Sequence, residues 1–305
     1  MKFSTTTFTL FLTTLASLSI LGGNGGFVNA VFLRGADDGV DGMENNNRFL
    51  SQKDSNISKQ DVIKKIKKDT CYDLPVCSIP KQFTDDKDVV LVAVQNYGDS
   101  LYYASNRLKA DPDVILAAVT KDGKALQYAS APLQGNKRIV MAAVKRNGKA
   151  LKYASTQLQG DIDIVHAALR KKGAGFEFAS AALKADKTTV LLAVTKNADN
   201  LADASKAMKA NKDVVLTAVE HALSVIPLKY ASTKLQNDKQ ICLAAVTRWY
   251  SALEFCSTAL RDDKDVVLAA VKNYGYALQW ASANLQKDKD VIAAAKSSGA
   301  PEDKH

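Results

Sequence analysis

The stretch Ala125-Leu126-Gln127-Tyr128-Ala129-Ser130 decides the fold, because versions of it occur eight times. An Ala-Ser pair behind an aromatic residue also stands at Tyr103-Ala104-Ser105, Tyr153-Ala154-Ser155, Phe178-Ala179-Ser180, Tyr230-Ala231-Ser232 and Trp280-Ala281-Ser282. Two copies depart at one position each, Asp203-Ala204-Ser205 and Phe255-Cys256-Ser257. The serines step by 25 residues except from Ser205 to Ser232, where the step is 27 and His221–Pro227 carries an insertion. A fixed period of this length marks a repeat architecture.

Upstream of each pair lies an apolar segment such as Asp263-Lys264-Asp265-Val266-Val267-Leu268-Ala269-Ala270-Val271. Its apolar side chains recur at i, i+3 and i+4 and predict a helix with one buried face. Asp111, Asn136, Asp161, Asp186, Asn211, Asp238, Asp263 and Asp288 share one column at the helix starts. Each can accept a hydrogen bond from a free helix-start N–H. Pro112 follows Asp111 at the first helical position, where a missing N–H costs nothing. Gly98, Gly123, Gly148, Gly173 and Gly275 are expected to end this helix in a left-handed conformation. Ala125 to Leu133 then reads as a second helix. The column Ala93, Ala118, Ala143, Ala168, Ala193, Ala218, Ala245, Ala270 is unbroken, which predicts close helix contact. A leucine there would overpack the stack by ~1–3 kcal/mol.

Helices this short are marginal alone in water, so neighbouring units must cover each other's apolar faces. The expected fold is all-α, an α-solenoid of eight two-helix units of about 25 residues with terminal caps. Helix layers roughly 8–10 Å apart would give a body about 65–80 Å long. The expected divisions are a signal peptide at 1–30, a flexible leader at 31–57, an N-terminal cap at 58–84, the array at 85–298 and a tail at 299–305. Asp61–Lys68 and Val76–Phe83 are the cap's segments, and Asp290–Ser297 supplies a ninth first helix.

The pattern resembles a helical-repeat family known only as a domain of unknown function, whose units carry D-x-x-V-V-L-A-A-V…G-x-A-L-x-Y-A-S. The resemblance runs from about Asp85 to Ser298. It implies the fold and an interaction role, and it brings no catalytic residues. The unit at Thr188–Ala210 departs from it, with Ala198 in place of the glycine and Asp203 in place of the aromatic.

Composition agrees with a packed, soluble chain. Of 305 residues, 47% are hydrophobic and 24% charged, which excludes a wholly disordered or collagen-like chain. Only 16 Gly, 6 Pro and 7% aromatics argue against a turn-rich all-β fold. Three histidines, one of them His305, leave little for a histidine metal site or repeated acid–base chemistry. No cofactor is expected.

The N-terminus reads as a secretion signal: Lys2, the uncharged run Thr7 to Gly23 with its apolar core at Leu10 to Leu21, and small residues at Val28-Asn29-Ala30. That core is too short for a spanning helix. Loss of Lys2 on cleavage lowers the net charge from +9 to +8. No transmembrane segment is expected after cleavage. The leader holds the one N-x-Ser/Thr sequon, at Asn56, a glycosylation candidate. Arg48-Phe49-Leu50-Ser51-Gln52 resembles an export element of some intracellular parasites, so re-targeting to a host cell or complex plastid is the alternative to secretion.

Candidate functional residues lie in the turns between the two helices of a unit. Lys121, Lys124, Lys145, Arg146, Lys149, Arg170, Lys171 and Lys172 fall on one edge at the repeat period and predict a positive strip. Such a strip suits an unidentified protein or other anionic partner. Nucleic acid is not expected in a secreted setting. The bland alternative is that cations at helix C-termini offset the helix dipole by ~0.3–1 kcal/mol each. Cys71 with Cys77, and Cys242 with Cys256, are disulfide candidates in a secreted chain.

The serine column has no base beside it in most units and reads as mid-helix serines bonding a carbonyl one turn back. His166 reads as a satisfied or edge histidine and not a ligand. The expected function is a non-catalytic binding scaffold acting through a groove and a basic edge. A structural matrix role and an exported effector are the alternatives.

Overall fold

A computed structural model describes residues 57–68 and 79–299, and these are helical with no strand. The signal segment, the leader apart from Ile57, Arg48–Gln52, Asn56, Cys71, Cys77 and residues 300–305 lie outside the described residues.

The amphipathic segments form ten helices: α1 (Lys59–Lys68), α2 (Lys87–Asn96), α3 (Pro112–Lys121), α4 (Lys137–Arg146), α5 (Ile162–Leu169), α6 (Lys187–Lys196), α7 (Lys212–His221), α8 (Lys239–Arg248), α9 (Lys264–Asn273) and α10 (Lys289–Ser297). Each packs on the next in chain order, as in an all-α solenoid. The cap column works as expected. Asp111 Oδ1 accepts from the N–H groups of Asp113 and Val114 at 3.0 and 3.3 Å, and its equivalents at 136, 161, 238, 263 and 288 do the same. Asp86 extends the column one unit upstream. Val114, Ile115, Ala118 and Val119 of α3 are fully buried, and the pattern repeats along the array. Each fully buried Val, Leu or Ile contributes about 1.5–3 kcal/mol, which is what holds such short helices in place.

The second arm corrects the expectation of one continuous helix. Gly123–Tyr128 is a 3-10 turn, Ala129 and Ser130 are extended, and Ala131–Gln134 is a separate helical turn. The break frees the serine N–H for the preceding unit. Ser130 donates to the Lys109 carbonyl at 2.9 Å, and all eight serines make this bond, from Ser105 to Thr84 through Ser282 to Arg261. A backbone ladder thus runs between units. The serines are therefore not mid-helix residues. Most cap the short third segment, as Ser155 Oγ does by accepting from Leu158 N–H.

The glycine expectation also changes. Among the column only Gly173 is left-handed, at φ +70°. Gly98, Gly123 and Gly148 are instead needed for close approach: a Cβ would lie 2.7, 2.3 and 2.6 Å from the carbonyl oxygens of Ala118, Ala143 and Ala168. These three turns press against the first helix of the next unit, at the alanine column.

A side-chain ladder borders the cap column. Lys264 Nζ reaches Asp288 at 3.0 Å and Asp290 at 2.6 Å in the next unit. Lys59, Lys87, Lys137 and Lys239 make the same double bridge, while Lys187 and Lys212 make single ones. Pro112 and Ile162 interrupt the ladder, since neither carries an ammonium. At the second gap His166 Nε2 hydrogen-bonds the buried Thr189 hydroxyl at 3.0 Å, and Thr189 N–H donates to Asp186 at 2.7 Å.

The insertion in the seventh helix's turn exposes Leu223 (92%) yet leaves Leu228 buried and the Ser232–Lys209 bond intact at 2.9 Å. Cys242 takes the valine position of α8 and Cys256 the alanine position of the same unit, and a disulfide joins them with Cα atoms 6.0 Å apart.

Candidate functional site

All eight candidate basic residues are exposed. The structure gathers half of them: Lys121, Arg146, Lys171 and Lys172 line a groove of about 830 Å³, joined by Lys67 from the end of α1. Lys124, Lys145, Lys149 and Arg170 stay outside its lining.

The groove forms because first helices end side by side, and each end is tied to its predecessor. Arg146 Nε donates to the Lys121 carbonyl at 3.0 Å, and Asn96 Nδ2 to the Ile66 carbonyl at 3.1 Å. These bonds satisfy terminal helix carbonyls and hold the Arg146 guanidinium across a unit junction.

The far wall comes from an irregular turn. α5 stops at Leu169, two residues earlier than its ten-residue neighbours. The chain then passes through left-handed Lys172 (φ +57°), Gly173 (φ +70°) and Gly175 (φ +90°). A Cβ on Gly175 would sit 2.3 Å from the Gly148 oxygen, so this turn beds onto the preceding unit. A left-handed lysine costs roughly 1–2 kcal/mol. The result is two adjacent lysines in one groove, which a regular helix end would not give. The sequence signal was the Lys171-Lys172-Gly173-Ala174-Gly175 run, with two glycines just past the helix end.

Two carboxylates temper the charge. Asp122 Oδ1 accepts from Lys124 N–H at 2.9 Å and so caps the 3-10 turn. Asp99 reaches solvent at the groove, yet crowding there pushes its carboxyl above the usual range. Nearby Asp122 adds to that shift and Lys124 opposes it. Beside them the Tyr128 phenol is pushed up to about 12, first by burial and then by the Asp99 charge.

Sequence reasoning missed a second surface on equivalent turns farther along. Tyr250, Tyr274 and Tyr276 form a cluster, with ring centroids 4.7 Å apart for the first pair and 5.0 Å for the second, and Trp280 packs beside Tyr250. Tyr274 and Tyr276 remain partly exposed. Their signal was present, since they stand where Asp122 and Lys124 stand in the earlier unit, but a column read for its core residues passes over them.

Among the described residues no group of three or more His, Cys, Asp and Glu is placed to hold a metal ion, and no helix is long and apolar enough to cross a membrane.

Compared with known proteins, no curated protein and no solved structure matches this chain. A family model described as Domain of unknown function (DUF4116) matches six stretches, residues 77–109, 86–134, 111–159, 136–184, 211–261 and 263–297. No stretch reaches into 185–210, the unit that carries Ala198 and Asp203. With the matches covering well over half of its length and the helical repeat running through them, the chain belongs to this family of unknown function.

Proposed function

We propose that this protein is a secreted helical-repeat scaffold that binds a protein or other anionic partner through the groove and its basic edge, with no catalytic step. The observation that carries the reading is the convergence of Lys67, Lys121, Arg146, Lys171 and Lys172 on one groove from separate units. Cations so arranged attract an anionic surface and fix its orientation. Secretion rests on the apolar core at Leu10–Leu21 and the small residues at Val28-Asn29-Ala30. The left-handed Lys172 adds support, since strained residues persist where neighbouring structure holds them and cluster at ligand clamps.

The test is a pulldown from the native extracellular or host milieu, run beside a variant carrying Lys145→Glu, Arg146→Glu, Lys149→Glu, Arg170→Glu, Lys171→Glu and Lys172→Glu. A salt-sensitive partner lost in the variant supports the reading. A partner retained by both proteins moves the site off the basic edge. No partner at all favours a purely structural role.

A further inference from the structure

We infer that the groove's occupant is an extended polypeptide segment, acidic on balance but carrying a basic residue, and not a uniform polyanion. The inference rests on the proposed binding role of the groove and specifies its partner. Five cations line the groove, but Asp99 and Asp122 line it with them. A phosphate or sulfate polymer brings a like charge against those two carboxylates wherever it lies along the groove, and like charges set together suppress binding. A peptide can place Glu or Asp at the lysines and Arg146 and a Lys or Arg at the carboxylates.

Asp99 is the more telling of the two. Among the described residues no donor hydrogen-bonds its carboxylate, and its surroundings disfavour the charged form. A ligand ammonium or guanidinium would relieve both conditions. Asn147 adds a feature suited to a peptide. Its amide oxygen is taken by Lys149 N–H at 3.1 Å, which leaves its NH2 group for a ligand carbonyl.

Length follows from the repeat. The lining runs from Lys67 at the end of α1, past Asn96, Lys121 and Arg146, to Lys172 beyond α5, so it crosses the ends of five successive helices. At roughly 8–10 Å per layer this is about 32–40 Å, the reach of about ten to twelve extended residues.

The test measures fluorescence anisotropy of the full-length chain with three probes at one salt concentration. These are a Glu-rich twelve-residue peptide containing two lysines, the same peptide with both lysines changed to Glu, and inorganic polyphosphate of similar length. The mixed peptide is expected to bind about tenfold tighter than either uniform polyanion. Asp99→Asn with Asp122→Asn should abolish that preference, weakening the mixed peptide and strengthening polyphosphate. Asparagine already occupies the Asp122 position in two later units, at Asn147 and Asn197, where it caps the same turn. Polyphosphate binding as tightly as the mixed peptide, or an unchanged preference in the double variant, overturns the peptide assignment and leaves a polyanion site. Binding of every probe unaffected by Arg146→Glu, Lys171→Glu and Lys172→Glu overturns the groove reading itself.

Discussion

Ser155 donates its backbone N–H to the carbonyl oxygen of Gln134, 3.0 Å away in the preceding unit. The serine's φ of −57° and the extended conformation of Ala154 before it are both compatible with proline. Ser155→Pro therefore leaves the local backbone angles unchanged but replaces the ladder N–H with a ring carbon directed at the Gln134 oxygen, whereas Ser155→Ala removes only the hydroxyl cap. The alanine variant should lose about 0.5–1 kcal/mol. The proline variant should lose at least about 1 kcal/mol more, because the Gln134 carbonyl loses its donor and the proline ring crowds it. Urea unfolding of the two variants checks the ladder, and equal stabilities would show that it contributes nothing net.

Gly123→Ala forces a methyl to 2.3 Å from the Ala143 carbonyl oxygen, a backbone atom that cannot move without separating two units. It should destabilise the array by about 1–3 kcal/mol or more. Gly135→Ala is the control, since its Cβ would meet nothing nearer than 3.4 Å and its φ is ordinary. That variant should lie within about 1 kcal/mol of the parent. Thermal unfolding of both separates close approach from loss of glycine as such.

The cap aspartates give the array an acid-side limit. At Asp86, Asp161, Asp238 and Asp263 a lysine of the preceding unit is the main cause holding the carboxyl below its usual range, with the helix-start N–H groups adding to it. A depressed folded value means that this stability is fully present above the ordinary carboxylate range. It is lost as the pH falls through that range and then through the folded values. Lys59, Lys87, Lys137, Lys239 and Lys264 are raised by the same bridges, so their contribution is lost only as pH rises above the ordinary lysine range. Melting temperature should thus be level near neutrality and fall at both extremes. Asp161→Asn keeps the cap, as Asn136 does naturally, but should flatten part of the acid limb. Melting curves from pH 2 to 7 test this, and an unchanged limb would refute it.

Cys242 and Cys256 close a loop of 14 residues in sequence separation. Cys242→Val with Cys256→Ala restores the residue types of neighbouring units, so packing should survive. The loss is then the cross-link alone, about 3 kcal/mol by loop-closure entropy. A reductant titration of the parent should reproduce the variant's denaturation midpoint.

Lys172→Gly relieves a left-handed lysine and should stabilise the fold by about 1 kcal/mol, after the glycine's extra unfolded freedom is counted. The same change removes one groove cation and should weaken anionic ligands. A variant that is both more stable and a poorer binder is the expected outcome, measured by thermal unfolding and anisotropy on the same preparation.

The sequence by itself determined the repeat, its 25-residue period, the caps at Asp111 and its equivalents, and the buried faces such as Val114, Ile115 and Ala118, because these depend on short-range spacing and apolar periodicity. It also carried the chemistry of the basic edge. Tertiary structure decided where the second arm breaks, because the Ser130 N–H finds its partner at Lys109, in another unit. It decided why Gly123 is glycine, since the obstructing atom, the Ala143 oxygen, is twenty residues away in the chain. It also chose Lys121, Arg146, Lys171 and Lys172 over their neighbours for the groove, the first two through helix ends tied side by side and the last two through the early end of α5 and the left-handed turn beyond it. Local periodicity fixes which residues are buried. Only stacking brings groups a full repeat apart within hydrogen-bonding distance, and both the ladder and the groove are made of such pairs.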